Sequence, residues 1–392
     1  MICAGAGLST QSNSEHAAIE ASQRALRPLG GRRPDFCVAF IAAEHAPALD
    51  EVLDALSRTT GTPYVVGCSA AGILAEGREV ESGPSLGVMA VASDKILATP
   101  FLFHDDGDHG LTAGLRLGQR FLTSKNSDDL VLIWSDPHSI RPDRLLHGLD
   151  ATLGNVPVAG AASSAQTMND QTFQFNGVET GRRSVSGIRL GGNFRYHVAI
   201  TQGCRPLGEP LAVTRSHENF ILELDGRPAL DVLREVSPGF LFEDSVGAFH
   251  SLFVGLVPER GSARKTGCDY LVRNIVAADP DTGVLAIADT LEEGQRIVFA
   301  LREARSARED VARMLQQVLA TAGDLSFRFG FYFNCLARGQ SLYQQNGVDA
   351  GFLENALPGV PLLGLFGNAE IAPLGGVNQV LTYTGVLVLV AD

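Results

Sequence analysis

Residues Phe327 to Pro373 read FRFGFYFNCLARGQSLYQQNGVDAGFLENALPGVPLLGLFGNAEIAP. The apolar run Phe329 to Phe333 has no polar alternation, which predicts a strand buried on both faces. It breaks off into Asn334-Cys335-Leu336-Ala337-Arg338-Gly339, a polar and small cluster of loop character. A helix is expected from about Asp349 to Leu357, with Phe352, Leu353, Ala356 and Leu357 at helical spacing and Pro358-Gly359 as its stop. Pro361 to Leu365 then reads as a second strand, closed by Gly367-Asn368-Ala369-Glu370. Strand, helix and strand together place Arg338 and Glu370 on loops at two strand ends.

The same order occurs twice more. Strand Phe36 to Ala42, a helix from Pro47 to Leu56 and strand Pro63 to Gly67 form one copy. Strand Leu130 to Trp134, helix Pro142 to Leu153 and strand Pro157 to Gly160 form another. In each copy the second strand opens on proline, carries a glycine and runs into small residues: Gly67-Cys68-Ser69-Ala70-Ala71-Gly72 and Ala161-Ala162-Ser163-Ser164. Strand-to-strand spacing is roughly thirty residues, the size of one supersecondary unit, so the chain reads as an internal repeat.

Further elements surround these copies. Helices are expected at Ser12 to Leu26 and Leu111 to Phe121, and a strand at Leu86 to Ala92. Tyr196 to Thr201, Pro210 to Val213 and Phe220 to Leu224 read as consecutive strands, followed by a short helix at Pro228 to Val236. A meander follows at Leu271 to Ala277, Val284 to Ala288 and Arg296 to Leu301. Ser306-x-x-Glu309 has the capping-box pattern for a helix running through Leu319. The fold expected is mixed α/β: two α/β sandwich halves of repeated strand–helix–strand units in α-β-β-α layers. The boundary falls near Gly208 to Thr214, giving domains 1–210 and 211–392.

The 392 residues are 45% hydrophobic and 19% charged, which describes a globular chain. A formal net charge of −13 repels phosphate backbones, so neither nucleic acid nor an anionic membrane is an expected partner. The six cysteines, at 3, 37, 68, 204, 268 and 335, show no metal-ligand or disulfide spacing. A reduced, cytoplasmic chain with no metal and no cofactor is the expectation. The N-terminal MICAGAGLST has neither the basic region nor the apolar length of a signal peptide.

Several motifs, taken together, point to a family. They are Cys335-x-x-Arg338-Gly339, Pro361-x-x-Gly364-x-x-Gly367-x-x-Glu370-Ile371-Ala372-Pro373 and the terminal Tyr383-Thr384-Gly385. With Asn219 to Leu230 and Tyr270 to Gly294, these resemble the C-terminal half of FIST-domain proteins. Gly67-Cys68-Ser69-Ala70-Ala71-Gly72 resembles the signature of the N-terminal half. The resemblance runs from about Ala6 to Val390. It implies a sensory or ligand-binding module in bacterial signalling, related to the substrate-recruiting part of a eukaryotic F-box protein. This chain departs from the family pattern at Ala70, Ile73 and Ala369, where Thr, Glu and Gly are usual.

The chemistry concentrates in the opening stretch. Arg338 presents a planar fork suited to a carboxylate, and Glu370 suits an amine. With Asn334, Cys335 and Asn368 nearby, the set would take a small zwitterion such as an amino acid. Arg338 and Glu370 would equally well pair with each other and lock two loops. Cys68 and Ser69 join the candidates because the backbone N–H groups of a small-residue loop bind anions, although close packing of small residues reads the same way. Gly67 to Gly72 is neither a nucleophile elbow nor a phosphate loop, since Ala71 and Ile73 stand where glycine and lysine are needed. His104-Asp105-Asp106-Gly107-Asp108-His109 reads as a capping loop before a helix or as a metal cluster. The functional expectation is a non-catalytic sensor of a small molecule, with a signalling protein as further partner. An interaction scaffold and a cysteine-dependent hydrolase or transferase are the alternatives.

Overall fold

A computed structural model describes residues 1–123, 126, 129–154, 156–167, 171–238, 251–258, 270–323 and 325–392; Cys268 lies outside them. With 44% of residues in strands and 27% in helices, the chain is mixed α/β, as expected. It divides into two compact units. The first comprises residues 1–200, 315–380 and 384–392, and the second residues 201–314 and 381–383.

One strand–helix pattern used three times, with an extra short helix in the third copy, builds most of the first unit. Its first copy is β1 (Ile2–Ser9), α1 (Ser14–Leu26), β2 (Phe36–Ile41), α2 (Leu49–Thr60), β3 (Val65–Ser69), β4 (Ile73–Ala75), β5 (Arg78–Val80) and β6 (Leu86–Ser93). The second is β7 (Ile96–His104), α3 (Leu111–Leu122), β8 (Leu130–Ser135), α4 (Pro142–Leu153), β9 (Val158–Ala162), β10 (Gln174–Asn176), β11 (Glu179–Gly181) and β12 (Ser184–Gly192). The third opens with β13 (Arg195–Gln202), after which the chain builds the second unit.

That second unit contains β14 (Cys204–His217), β15 (Phe220–Leu224), β16 (Arg227–Pro228), α5 (Ala229–Val236), β17 (Leu252–Val257), β18 (Leu271–Asp279), β19 (Val284–Ile287) and β20 (Arg296–Arg302). The order β14-β20-β17-β18-β19-β15 returns to its start through a β14–β15 ladder, closing a six-strand barrel. Closure leaves those six strands without an open edge. Alternate residues such as Ile297, Phe299 and Leu301 enter the core, where Leu230 and Leu233 of α5 join them.

The third copy then resumes with α6 (Ala304–Ala322), β21 (Phe327–Cys335), α7 (Gln340–Tyr343), α8 (Val348–Ala356), β22 (Leu362–Gly367), β23 (Ala369–Leu374), β24 (Val377–Leu381) and β25 (Thr384–Ala391). Helix α6 starts two residues before Ser306, so the expected capping box does not form. The Ser306 hydroxyl instead donates to Glu303.

Three six-stranded sheets result, ordered β1-β6-β2-β3-β10-β11, β7-β12-β8-β9-β23-β24 and β13-β25-β21-β22-β4-β5. Each copy supplies four strands to its own sheet and lends a hairpin to another copy's sheet, in a closed cycle. This exchange refines the expected sandwich layering, and strand periodicity carries no trace of it. The three short hairpins were not anticipated: Cys68-Ser69 and Ala161-Ala162 continue their strands, and Glu370 sits on β23 instead of a loop.

The repeated glycine has a packing cause. Gly67, Gly160 and Gly364 lie opposite Ala39, Ile133 and Tyr332 in the parallel ladders. A Cβ at any of the three would overlap the carbonyl oxygen of its partner. The residues that follow those partners are Phe40, Trp134 and Phe333. They converge, with ring centroids 5.4 Å apart for Phe40–Trp134 and 6.4 Å for Trp134–Phe333.

We predict that Gly67→Ala destabilises the protein by about 3 kcal/mol, because backbone must move to admit the methyl group. Gly351, inside α8 with nothing within 4 Å of an added Cβ, is the contrast. There Gly351→Ala should stabilise by about 0.5–1 kcal/mol. Denaturant melts of the two variants check both signs.

Candidate functional site

The three copies differ in what the central strand presents to its helices. In the first, Cys37, Ala39 and Ile41 of β2 pack against Val52, Leu53 and Leu56 of α2 in an apolar core. The equivalents of Ala39 and Ile41 in the third copy are Tyr332 and Asn334, and a buried polar network replaces the core there.

Asp349 is its centre. The residue lies in the first turn of α8, and its carboxylate accepts from Tyr332 Oη at 3.0 Å, Asn334 Nδ2 at 3.1 Å and Tyr343 Oη at 2.8 Å. Arg338 grips both oxygens, through Nε at 3.1 Å and Nη2 at 3.1 Å, and its Nη2 also donates to Tyr343 Oη at 2.7 Å. Arg338, Asp349 and Glu370 are all 0% exposed. Burial alone would lower the Arg338 pKa, but the Asp349 carboxylate and the two phenols outweigh it and the guanidinium stays charged. The Tyr332 phenol is raised by burial and then by Asp349, so it stays protonated and donates to that carboxylate.

Glu370 lies beside this pair. Its Oε2 accepts from the Thr384 hydroxyl at 2.8 Å and the Thr384 N–H at 3.3 Å. Burial pushes its pKa up to about 8, against the opposing pull of Thr384, the Cys335 thiol and the Arg338 guanidinium. Arg338 and Glu370 are thus neighbours but not ion-pair partners, which corrects the mutual lock. Asp349 is the partner, and Thr384 holds Glu370.

Three atoms in this cluster are buried without a hydrogen-bond partner: Asn334 Oδ1, Arg338 Nη1 and Glu370 Oε1. Native interiors satisfy nearly all such groups, and three of the ten found among the described residues gather in this one cluster. Of the other expected site residues, Cys335 joins the cluster through Glu370. Asn368 is exposed and donates to the Ser163 carbonyl at 2.7 Å. Cys68 and Ser69 belong to β3 on another sheet and are fully buried. Burial raises the Cys68 thiol well above its ordinary value, and Ser69 Oγ accepts from Phe173 N–H, so both act as core there.

Besides Tyr332, Tyr343 and Thr384, two acids at the site escaped the sequence reading. Asp349 was legible in part: it shares a helix face with Leu353, four residues on, and an acid on an apolar face needs a buried partner. Glu79 left no local signal. From β5 it reaches 268 residues along the chain to accept from Gly347 N–H at 3.0 Å and from Ala350 N–H at 2.8 Å. The acidic loop before α3 caps that helix: Asp105 accepts from Gly110 N–H and Asp108 from Thr112 N–H. Among the described residues, no group of three His, Cys, Asp or Glu side chains could hold a metal ion.

Two outcomes are expected. Asp349→Asn leaves the buried Arg338 charge unpaired and should cost about 3–5 kcal/mol in a denaturant melt. Glu370 is raised from 4.5 to about 8, so its contribution is fully present below pH 4.5 and is lost as pH rises through about 8. Across that window the unfolded chain has released a proton that the native state keeps, and wild-type stability falls relative to Glu370→Gln by up to about 1.4 kcal/mol per pH unit. Parallel stability–pH curves for the two proteins would contradict this.

Comparison with known proteins agrees with the sequence motifs. The family model described as FIST N domain matches residues 35–227, and that described as FIST C domain matches residues 229–373. An uncharacterized protein of Mycobacterium tuberculosis (strain ATCC 25618 / H37Rv) is 31% identical over 388 residues, covering 99% of both chains. One from Mycobacterium bovis (strain ATCC BAA-935 / AF2122/97) is 30% identical over 393 residues, covering 99% of this chain and 98% of its own. Among solved structures, a cyanuric acid hydrolase from A. caulinodans matches 48% of this chain and 70% of its own at 10% identity and TM-score 0.27. A chorismatase matches 100% and 99% at 8% identity and TM-score 0.35. Neither score bears on the site. Among the described residues no helix is long and apolar enough to cross a membrane. With both domain models matched in order over most of its length, the chain belongs to the FIST family.

Proposed function

We propose that this FIST protein is a cytoplasmic, non-catalytic sensor that binds a small zwitterion, such as an amino acid, at the Arg338–Asp349–Glu370 cluster. The observation that carries the reading is the trio of buried, unpartnered atoms Asn334 Oδ1, Arg338 Nη1 and Glu370 Oε1. Arg338 Nη1 is a donor suited to a carboxylate. Below about pH 8 Glu370 is protonated, so its free oxygen donates to the same carboxylate, while Asn334 Oδ1 accepts from an ammonium group. Asp349 already neutralises Arg338, so a net-neutral zwitterion enters without an uncompensated charge. Binding would report to a signalling partner through the elements that hold the cluster.

The test is a thermal-shift series with the standard amino acids at millimolar concentration. A ligand of the native state stabilises it by RT ln(1 + [L]/Kd), about 2.7 kcal/mol at a hundredfold excess over Kd, so the midpoint should climb with concentration. Asn334→Ala removes one acceptor, and a true site should then bind about tenfold more weakly. If no amino acid shifts the midpoint, the sensor reading fails and an interaction scaffold replaces it.

A further inference from the structure

The cluster is roofed by one short segment. Residues Gly339 to Gly347 contain α7 and turn at three left-handed positions, Gly339 (φ 57°), Gln344 (φ 53°) and Gly347 (φ 73°). Gln340, Ser341, Gln344, Gln345 and Asn346 are exposed on its outside, while Leu342 and Tyr343 are buried beneath. Tyr343 is its contact with the site, sharing its hydroxyl between Arg338 and Asp349.

Both ends of the segment are fastened by carboxylates from a hairpin of the first copy. Glu81 accepts from Gln340 N–H with both oxygens at 3.0 Å. Glu79 holds the other end through Gly347 N–H and Ala350 N–H. Between the two fastenings, α7 is a single turn whose amides of Leu342 and Tyr343 bond back to the Gly339 carbonyl. A segment hinged at both ends and fastened from outside is able to open as a unit without disturbing β21.

We propose that Gly339–Gly347 is the lid of the ligand site, latched by Glu79 and Glu81 of the lent hairpin. The inference rests on the ligand-site reading for what the lid admits. The latch is also sensitive to pH. Burial and then the Asp349 charge push Glu79 up to about 7, with Glu81 adding to it and the two N–H groups opposing. The titratable groups facing Glu79 are Asp349 of α8, Tyr343 of α7 and Glu81, with Arg338 behind Asp349. As pH falls through about 7, Glu79 gains a proton and one of its oxygens ceases to accept, so the lid opens more readily.

Hydrogen exchange with mass spectrometry tests the lid without any ligand. Glu79→Gln replaces the carboxylate that fastens Gly347 and Ala350. For a lid, the amides of Gln340, Leu342 and Tyr343, at the far end, should also exchange about tenfold faster, while Phe331 and Phe333 in β21 stay protected. Acceleration confined to Gly347 and Ala350 would make Glu79 a local cap and overturn the lid. Acceleration shared by Phe331 and Phe333 would mean general loosening and overturn it as well. Should the variant not fold, wild-type protein compared at pH 6 and pH 8, after correction for intrinsic rates, must show the same pattern. A failed amino-acid screen would leave this result standing, and a failed lid would leave the screen standing.

Discussion

A glycine with no Cβ, pressed against a carbonyl oxygen of the neighbouring strand, recurs at positions 67, 160 and 364. At each, the parallel pair closes tightly enough that only hydrogen fits. The next residue on the central strand is an aromatic, and Phe40, Trp134 and Phe333 meet edge to face. Close backbone approach tightens each parallel pair within its sheet, and the convergent rings join the three sheets. The lent hairpins then tie each copy to another, so that no copy completes its sheet alone.

Equivalent positions around this arrangement have diverged in chemistry. Behind β2 the helices close on alkyl side chains, whereas behind β21 they close on a guanidinium, a carboxylate and two phenols. A buried ion pair is a poor source of stability, because desolvation consumes most of the Coulomb gain. An apolar core would have served the fold in the third copy as it does in the first. Arg338 and Asp349 are an exception to that economy, and three neighbouring polar atoms are unpartnered beside them.

The fourth and fifth strands of each copy matter as well. In the third sheet the lent β4–β5 hairpin brings Glu79 and the adjoining Glu81 to the backbone of the segment over the cluster. Burial first, and then the nearness of Asp349 and Glu81, raises the cost of ionising Glu79 and pushes its pKa up to about 7. Such coupling arises from topology alone.

By itself the sequence determined what local pattern and composition can carry. The buried strand around Phe331, the helix Pro142–Leu153 and the threefold strand–helix–strand order were all legible, because hydrophobic period and proline and glycine punctuation are properties of neighbouring residues. Cys335, Arg338 and Glu370 were legible as one motif, and the two domain models bear out the family they indicated. Only the tertiary structure decided that Arg338 pairs with Asp349, that Glu370 rests on Thr384, and that Cys68 and Ser69 are core. Arg338 and Asp349 both belong to the third copy, whereas Glu370 rides on the hairpin that this copy lends to another sheet. The strands of the lent hairpins are three to six residues long, too short for any period to show. Glu79 meets Ala350 across 271 residues of chain, a contact that no local pattern encodes and that exists only because the sheets interlock.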